Sequence, residues 1–170
     1  GFDWGSLSAR ILSHEQRISG VSKRGMGLGL SGAYKLTGTT TLMGQYTLMD
    51  GDNDGAYLVG ANYPVVDGST LRLDRAHGVV LGLANVFSEK LRGTVSMGWV
   101  RSRNRLGDAY VNAYGDTGNL RLLQWHAGLY YTPIKNVELG GELLGGRRTT
   151  YGGATGDMTR LNLQARYLFN

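Results

Sequence analysis

Hydrophobic and polar residues alternate along most of this chain, the two-residue period of strands whose faces meet different surroundings. The final segment shows it most clearly. Leu161, Leu163, Ala165, Tyr167 and Phe169 fall on one face, and Arg160, Asn162, Gln164 and Arg166 fall on the other. Seven further segments carry the same pattern, at about residues 4–14, 25–37, 39–49, 75–88, 90–103, 120–132 and 137–149. In the second, Met26, Leu28, Leu30 and Tyr34 oppose Gly27, Gly29, Ser31 and Lys35. In the fifth, Val95, Met97 and Trp99 oppose Arg92, Thr94, Ser96 and Gly98. The pattern predicts eight strands of about ten residues or more, the length a tilted strand needs to cross a bilayer.

The connections between these segments fall into two alternating classes. Short ones lie at 37–39, 88–90 and 133–136, and long ones at 14–24, 50–74, 104–119 and 150–158. Tight turns at one rim and long loops at the other are the asymmetry of outer-membrane barrels. Trp99, Tyr131, Tyr151 and Phe169 fall near strand ends, where aromatic side chains suit a membrane–water interface. A soluble sandwich or a lipocalin-like barrel also has amphipathic strands, but neither has reason to sort its loops this way. The expected fold is therefore all-β: one domain over residues 1–170, a transmembrane antiparallel β-barrel with eight strands in this chain. Both termini would lie on the periplasmic side, in the outer membrane of a Gram-negative bacterium, among outer-membrane lipid and lipopolysaccharide.

Composition narrows the picture by exclusion. No stretch approaches the roughly 18 consecutive apolar residues of a spanning helix; the longest, 78–87, is interrupted by Asn85. Cysteine is absent, which removes disulfides, thiolate catalysis and cysteine-bound zinc. There are 28 glycines against two prolines, without a collagen period. The net charge of +5 is dispersed along the chain, so no nucleic-acid partner is expected. The start at Gly1 implies either a removed signal peptide or a longer protein.

Candidate chemistry lies on the polar face. If that face lines a lumen, it presents Arg10, Lys35, Arg92, Arg148, Arg160 and Arg166 against Glu138 and Glu142. Guanidinium keeps its charge at any workable pH and grips carboxylates through paired N–H groups. Arg148, Arg160 and Arg166 on adjacent strands are expected side by side as a ladder for anions. The competing expectation is that Glu138 and Glu142 pair with these arginines and stiffen the wall. A closed eight-stranded barrel has room only for packed side chains, where unpaired cations are costly. A wide aqueous lumen tolerates them and draws anions in. The inner charges thus favour half of a larger pore.

Other constellations are weaker. Asp50, Asp52 and Asp54 begin a D-x-D-x-D-G calcium-loop pattern, but Ala61 stands where a bidentate Glu belongs, so no metal is expected. His14, His77 and His126 lack ligand spacing, and no cofactor is indicated. Glu138 and Glu142 would lie about 13 Å apart along a strand, too far for a glycosidase pair. No Ser-His-Asp arrangement is discernible, and no enzyme is expected. Gly25, Gly27 and Gly29 alternate with apolar residues and do not open a helix, which removes the phosphate-loop reading.

The segment QWHAGLYYTPIKNVELGGELLGGRRTTYGGATGDMTRLNLQARYLFN, from Gln124 to Asn170, resembles the C-terminal end of the DcaP-like porins. There a strand ending in "YTP" leads to "ELGxE…GxR", and an Arg-led strand closes the barrel on an aromatic near the C-terminus. GMGLGLSGAYKLTGTTTLMGQYTLMDGDNDGAYL is similar to a hairpin and glycine-acid loop of that family. FSEKLRGTVSMGWV is similar to its next tight turn, with Phe87 in place of the usual Trp. The likeness is loose between Asn104 and Leu120, and Asn170 follows the aromatic Phe169 that would ordinarily end the chain. The resemblance implies a homotrimer of sixteen-stranded barrels admitting small carboxylates, of which this chain supplies about half the strands. The resulting expectation is a porin for passive diffusion of small anionic, dicarboxylate-like solutes. Its rival is a small non-conducting structural or adhesive eight-stranded barrel.

Overall fold

The computed structural model describes residues 2–51, 62–103 and 106–169. Its body is one eight-stranded antiparallel sheet. In chain order its strands are β1 (Gly5–Ile18), β2 (Val21–Lys35), β3 (Thr40–Asp50), β6 (Arg75–Ser88), β7 (Leu91–Ser102), β8 (Asn119–Tyr131), β9 (Val137–Thr150) and β10 (Thr155–Tyr167). A small hairpin, β4 (Val65–Asp67) and β5 (Thr70–Arg72), is inserted between β3 and β6, and a short helix, α1 (Gly107–Tyr114), lies between β7 and β8. Each strand of the large sheet pairs with the next one of that sheet along the chain, and β1 and β10 stand at its two edges. The eight expected strands are all present, at 11 to 15 residues each. They form an open sheet rather than a closed ring.

Period two becomes two distinct faces once the register is known. Leu30, Tyr46, Val79, Trp99 and Leu123 are cross-strand neighbours on one face. Ser31, Gln45, Val80, Gly98 and Gln124 run across the other. The apolar face is bare. Ile11 is 77% exposed and Leu163 80% exposed, although burying each such side chain is worth about 1.5–3 kcal/mol. A soluble sandwich would cover this face with a second sheet, and among the described residues none packs there.

The connections depart from expectation at two places. Residues 14–24 are not a long loop: β1 and β2 run on to a two-residue turn, Ser19 (φ 50°) and Gly20 (φ 80°). Two consecutive positive φ values make the tight hairpin turn that matches strand twist. Residues 150–158 likewise collapse to a turn at 151–154, because β10 already begins at Thr155. In both places the strands outrun the apolar belt and become polar on both faces, as Gln16, Arg17, Lys23 and Arg24 show. One rim therefore carries only turns, at 36–39, 89–90 and 132–136. The other carries two turns and two long connections.

The described parts of both long connections are structured and meet each other. Val65, Leu106 and Tyr110 form a buried cluster against Ala109 and Tyr151, joining β4, α1 and the β9–β10 turn. On the polar face beneath them, Gly25, Gly27, Gly29, Thr47, Met49, Ala76 and Ser102 are buried while alternate neighbours such as Met26 and Leu30 stay exposed. β5 lies against β2 across the intervening β3, and Leu73 reaches Gly51. The segment 62–74 thus folds over the polar face near this rim. Among the described residues, helix α1 is the one element outside the expected all-β plan.

Candidate functional site

Every charged residue expected on one face is placed there by the register. Across β9 and β10, Glu138 faces Arg166, Glu142 faces Asn162, Leu144 faces Arg160 and Arg148 faces Gly156. Across β8 and β9, Tyr130, Gly128, His126 and Leu122 oppose Gly140, Glu142, Leu144 and Arg148 on that same face. Arg92 follows opposite Tyr130, Lys35 opposite Thr41, and Arg10 opposite Gly29. Gly82, Gly98, Gly128, Gly140 and Gly146 lie between them, so the face is rich in charge and poor in bulk.

The acidic residues are held by their neighbours. Arg92 donates from Nη2 to Glu138 Oε2 over 2.8 Å, and Gln164 donates to Oε1 over 3.2 Å. The Arg92 guanidinium also lies 4.2 Å from the Tyr130 ring centroid, a cation–π geometry. Glu142 is bracketed by His126 Nδ1 at 3.0 Å and by the Asn162 amide, donating over 3.0 Å. His126, Tyr130, Asn162 and Gln164 share the parity of the charged set, and only side-chain reach decides which of them bond.

The arginines divide into two groups. Arg92 is paired as described. Arg148 donates to the carbonyl of Thr117 and so ties β9 to the connection after α1. Arg10 donates to Gln45 over 3.4 Å, and Lys35 donates to the Asp3 carbonyl over 3.2 Å. Arg160 and Arg166 have exposed side chains that make no hydrogen bond or ion pair with described residues. The expected side-by-side ladder is corrected to a staggered one. Gly156, opposite Arg148, lies four positions before Arg160, and Arg166 six positions beyond, so the steps are about 13 and 20 Å at strand rise.

The acidic loop pattern separates. Asp50 ends β3 on the apolar-face parity, with its Oδ2 3.8 Å from Arg75 Nε, while Asp52 and Asp54 lie outside the described residues. Among the described residues no group of His, Asp and Glu is placed to hold a metal ion. No helix among them is long and apolar enough to cross a membrane, which leaves β-strands untouched as a means of crossing.

A polar network seals the long-connection rim, and sequence reasoning missed it. Asn62 donates to Asp74 Oδ2 over 2.7 Å and lies 3.0 Å from the Tyr151 hydroxyl; its Oδ1 accepts the Asn119 N–H over 2.6 Å. Ser102 donates to Asp74 Oδ1 over 2.7 Å, and its hydroxyl lies 2.7 Å from that of Tyr151. Burial, reinforced by the Asp74 charge, pushes the Tyr151 phenol above its ordinary range, with the Ser102 hydrogen bond opposing. Nearby, Asp116 accepts from the Thr150 hydroxyl and from the Gly152 N–H, which hold its carboxyl below the usual range.

The geometry is therefore a membrane-length open sheet with a bare apolar face and a charged inner face, partly roofed by its own loops. Comparison with solved structures finds the outer-membrane channel DcaP of Acinetobacter baumannii. It is 29% identical with a TM-score of 0.85, over 97% of this chain and 47% of that one. The chain thus spans a little under half the length of that channel. No curated protein matches the chain. The family model described as DcaP outer membrane protein matches residues 9–169. This is a family of outer-membrane β-barrel porins rather than of enzymes, and the chain belongs to it.

Proposed function

We propose that this chain is half the wall of a sixteen-stranded channel that passes small anionic, dicarboxylate-like solutes by passive diffusion. The observation that carries the anion preference is the contrast on the inner face. Glu138 and Glu142 are each held by two neighbouring side chains, whereas Arg160 and Arg166 are exposed and make no hydrogen bond or ion pair with described residues, Arg160 reaching Glu142 only through its charge. The field offered to a solute is accordingly positive. A carboxylate is drawn toward the mouth, exchanges between staggered guanidiniums and leaves, since each contact is wet and weak. The free edges β1 and β10 favour a larger ring over a closed eight-stranded barrel, because no open edge is tolerated in lipid. One barrel domain per chain, the long connections outside and a trimeric assembly complete the proposal.

Reversal potential in a planar bilayer under a salt gradient tests it. Anion preference that falls in Arg160→Ala and Arg166→Ala, with conductance steps retained, supports the reading. Correctly inserted protein that never conducts overturns it. Conduction with cation preference overturns the substrate class alone.

A further inference from the structure

The apolar face ends in a basic patch that the channel has no use for. His77, Arg101 and Arg121 are cross-strand neighbours on β6, β7 and β8 and point away from the inner face. One step further toward the long-connection rim, Arg103 bonds through its backbone to Arg75, whose side chain shares the outward parity. Like charges directly opposite one another, as at Arg101 and Arg121, destabilise a sheet unless something neutral or anionic lies between them. Arg101, Arg103 and Arg121 are exposed and have no ion pair with described residues. Among the described residues the acid beside the cluster is Asp50, at 3.8 Å from Arg75, and Arg75 Nε is buried without a hydrogen-bond acceptor among them.

Directly beneath this row the surface turns apolar. Val79, Trp99 and Leu123 form the next row, and Leu81, Met97 and Trp125 the one after, with steps of about 6.6 Å at strand rise. Trp99 stacks at a tilt against His77 with centroids 5.3 Å apart, so the aromatic boundary and the charged row are continuous. Cations above an aromatic edge above hydrocarbon complement an anionic headgroup above acyl chains.

We propose that the outward side chains of Arg101, Arg103 and Arg121, with His77 and Arg75, form a docking site for a phosphorylated glycolipid of the outer leaflet, the phosphates on the guanidiniums and the acyl chains along Trp99, Leu123 and Met97. Guanidinium suits this ligand because its fork binds phosphate oxygens in pairs. The inference rests on the orientation proposed above, with the long connections outside.

The test is lipid retention by the native full-length protein in mild detergent, read by native mass spectrometry after addition of diphosphoryl lipid A, monophosphoryl lipid A or phosphatidylglycerol. The protein should prefer the diphosphoryl lipid, and Arg101→Gln with Arg121→Gln should lower its retention about tenfold or more. Unchanged thermal unfolding excludes misfolding, and reversal potential should not move, because neither residue faces the lumen. Inserted parent protein that never conducts but still retains the diphosphoryl lipid would sink the channel reading and leave this one standing. Equal retention by variant and parent overturns the site. So does equal preference for phosphatidylglycerol, or a variant whose subunits separate, since the patch would then be a protein interface.

Discussion

The side-chain amide of Asn62 donates to Asp74 over 2.7 Å, and each residue is only 2% exposed. This bond ties the two ends of the segment 62–74 together beside the start of β6, and through Ser102 and Tyr151 links them to β7 and the β9–β10 turn. Replacing Asn62 by Ala leaves a buried carboxylate and the Asn119 N–H each short of a partner, at a cost of about 1–3 kcal/mol. The expected outcome is a sheet that still assembles but a roof that opens. Limited proteolysis should cut within residues 62–74 in the variant and spare the parent, and single-channel recordings should become noisier.

Alkaline pH should loosen the same roof. The Tyr151 phenol is raised from its ordinary 10.0, so the folded state holds this proton more tightly than the unfolded one. Stability from this group is complete below pH 10 and is lost as pH rises past that value toward the raised one. Ionisation would remove the donor facing Ser102 and set an anion beside Asp74. Protease sensitivity of the roof measured against pH should climb above 10 in the parent, and the climb should be blunted in Tyr151→Phe.

Asp116 responds in the opposite direction. Its carboxyl is lowered from 3.8 by the Thr150 hydroxyl first and the Gly152 N–H second. Its contribution is therefore present above pH 3.8 and lost as pH falls through the lowered value. Amide exchange at Gly152 should show protection that fades in acid. In Asp116→Asn the protection should be weak throughout and no longer depend on pH.

Structural and solute-facing arginines should separate by mutation. Arg92→Ala removes an ion pair at 2.8 Å and a ring contact, but its side chain is 46% exposed, so the cost is held to about 1 kcal/mol. Arg160→Ala removes nothing but charge from the fold and should shift unfolding by less than about 0.5 kcal/mol. Thermal unfolding in detergent, paired with reversal potential, would show Arg92 moving both readouts and Arg160 only the second.

Parity made the wall legible from sequence. A residue's face depends only on odd or even position once one strand is anchored, so Arg10, Lys35, Arg92 and Arg160 could be placed without any contact being known. Rotamer and reach are not encoded that way, which is why His126 and Asn162 around Glu142 went unforeseen. The turn at Ser19–Gly20 carried a readable Ser-Gly signal inside the expected long connection over 14–24. The roof had no local signature. Asn62 meets Asp74, Asn119 and Tyr151 at separations of 12, 57 and 89 residues, and nothing periodic links such positions. The same holds for α1, eight residues long and held by Val65 rather than by its own propensity.

The order of pairing has a kinetic consequence. Within the large sheet every strand meets the strand that precedes it in that sheet, so each pairing closes only a short stretch of chain. Loop-closure entropy is then small at every step, and the wall can zip up hairpin by hairpin. The edges of β1 and β10 are different. The amides and carbonyls on their outer sides find no partner within this sheet, and their satisfaction demands strands from beyond it. In the proposed larger ring, sealing these edges against strands outside this sheet would be the slow step, and mutations along β1 and β10 should then retard assembly while those in β7 and β8 merely weaken the finished wall.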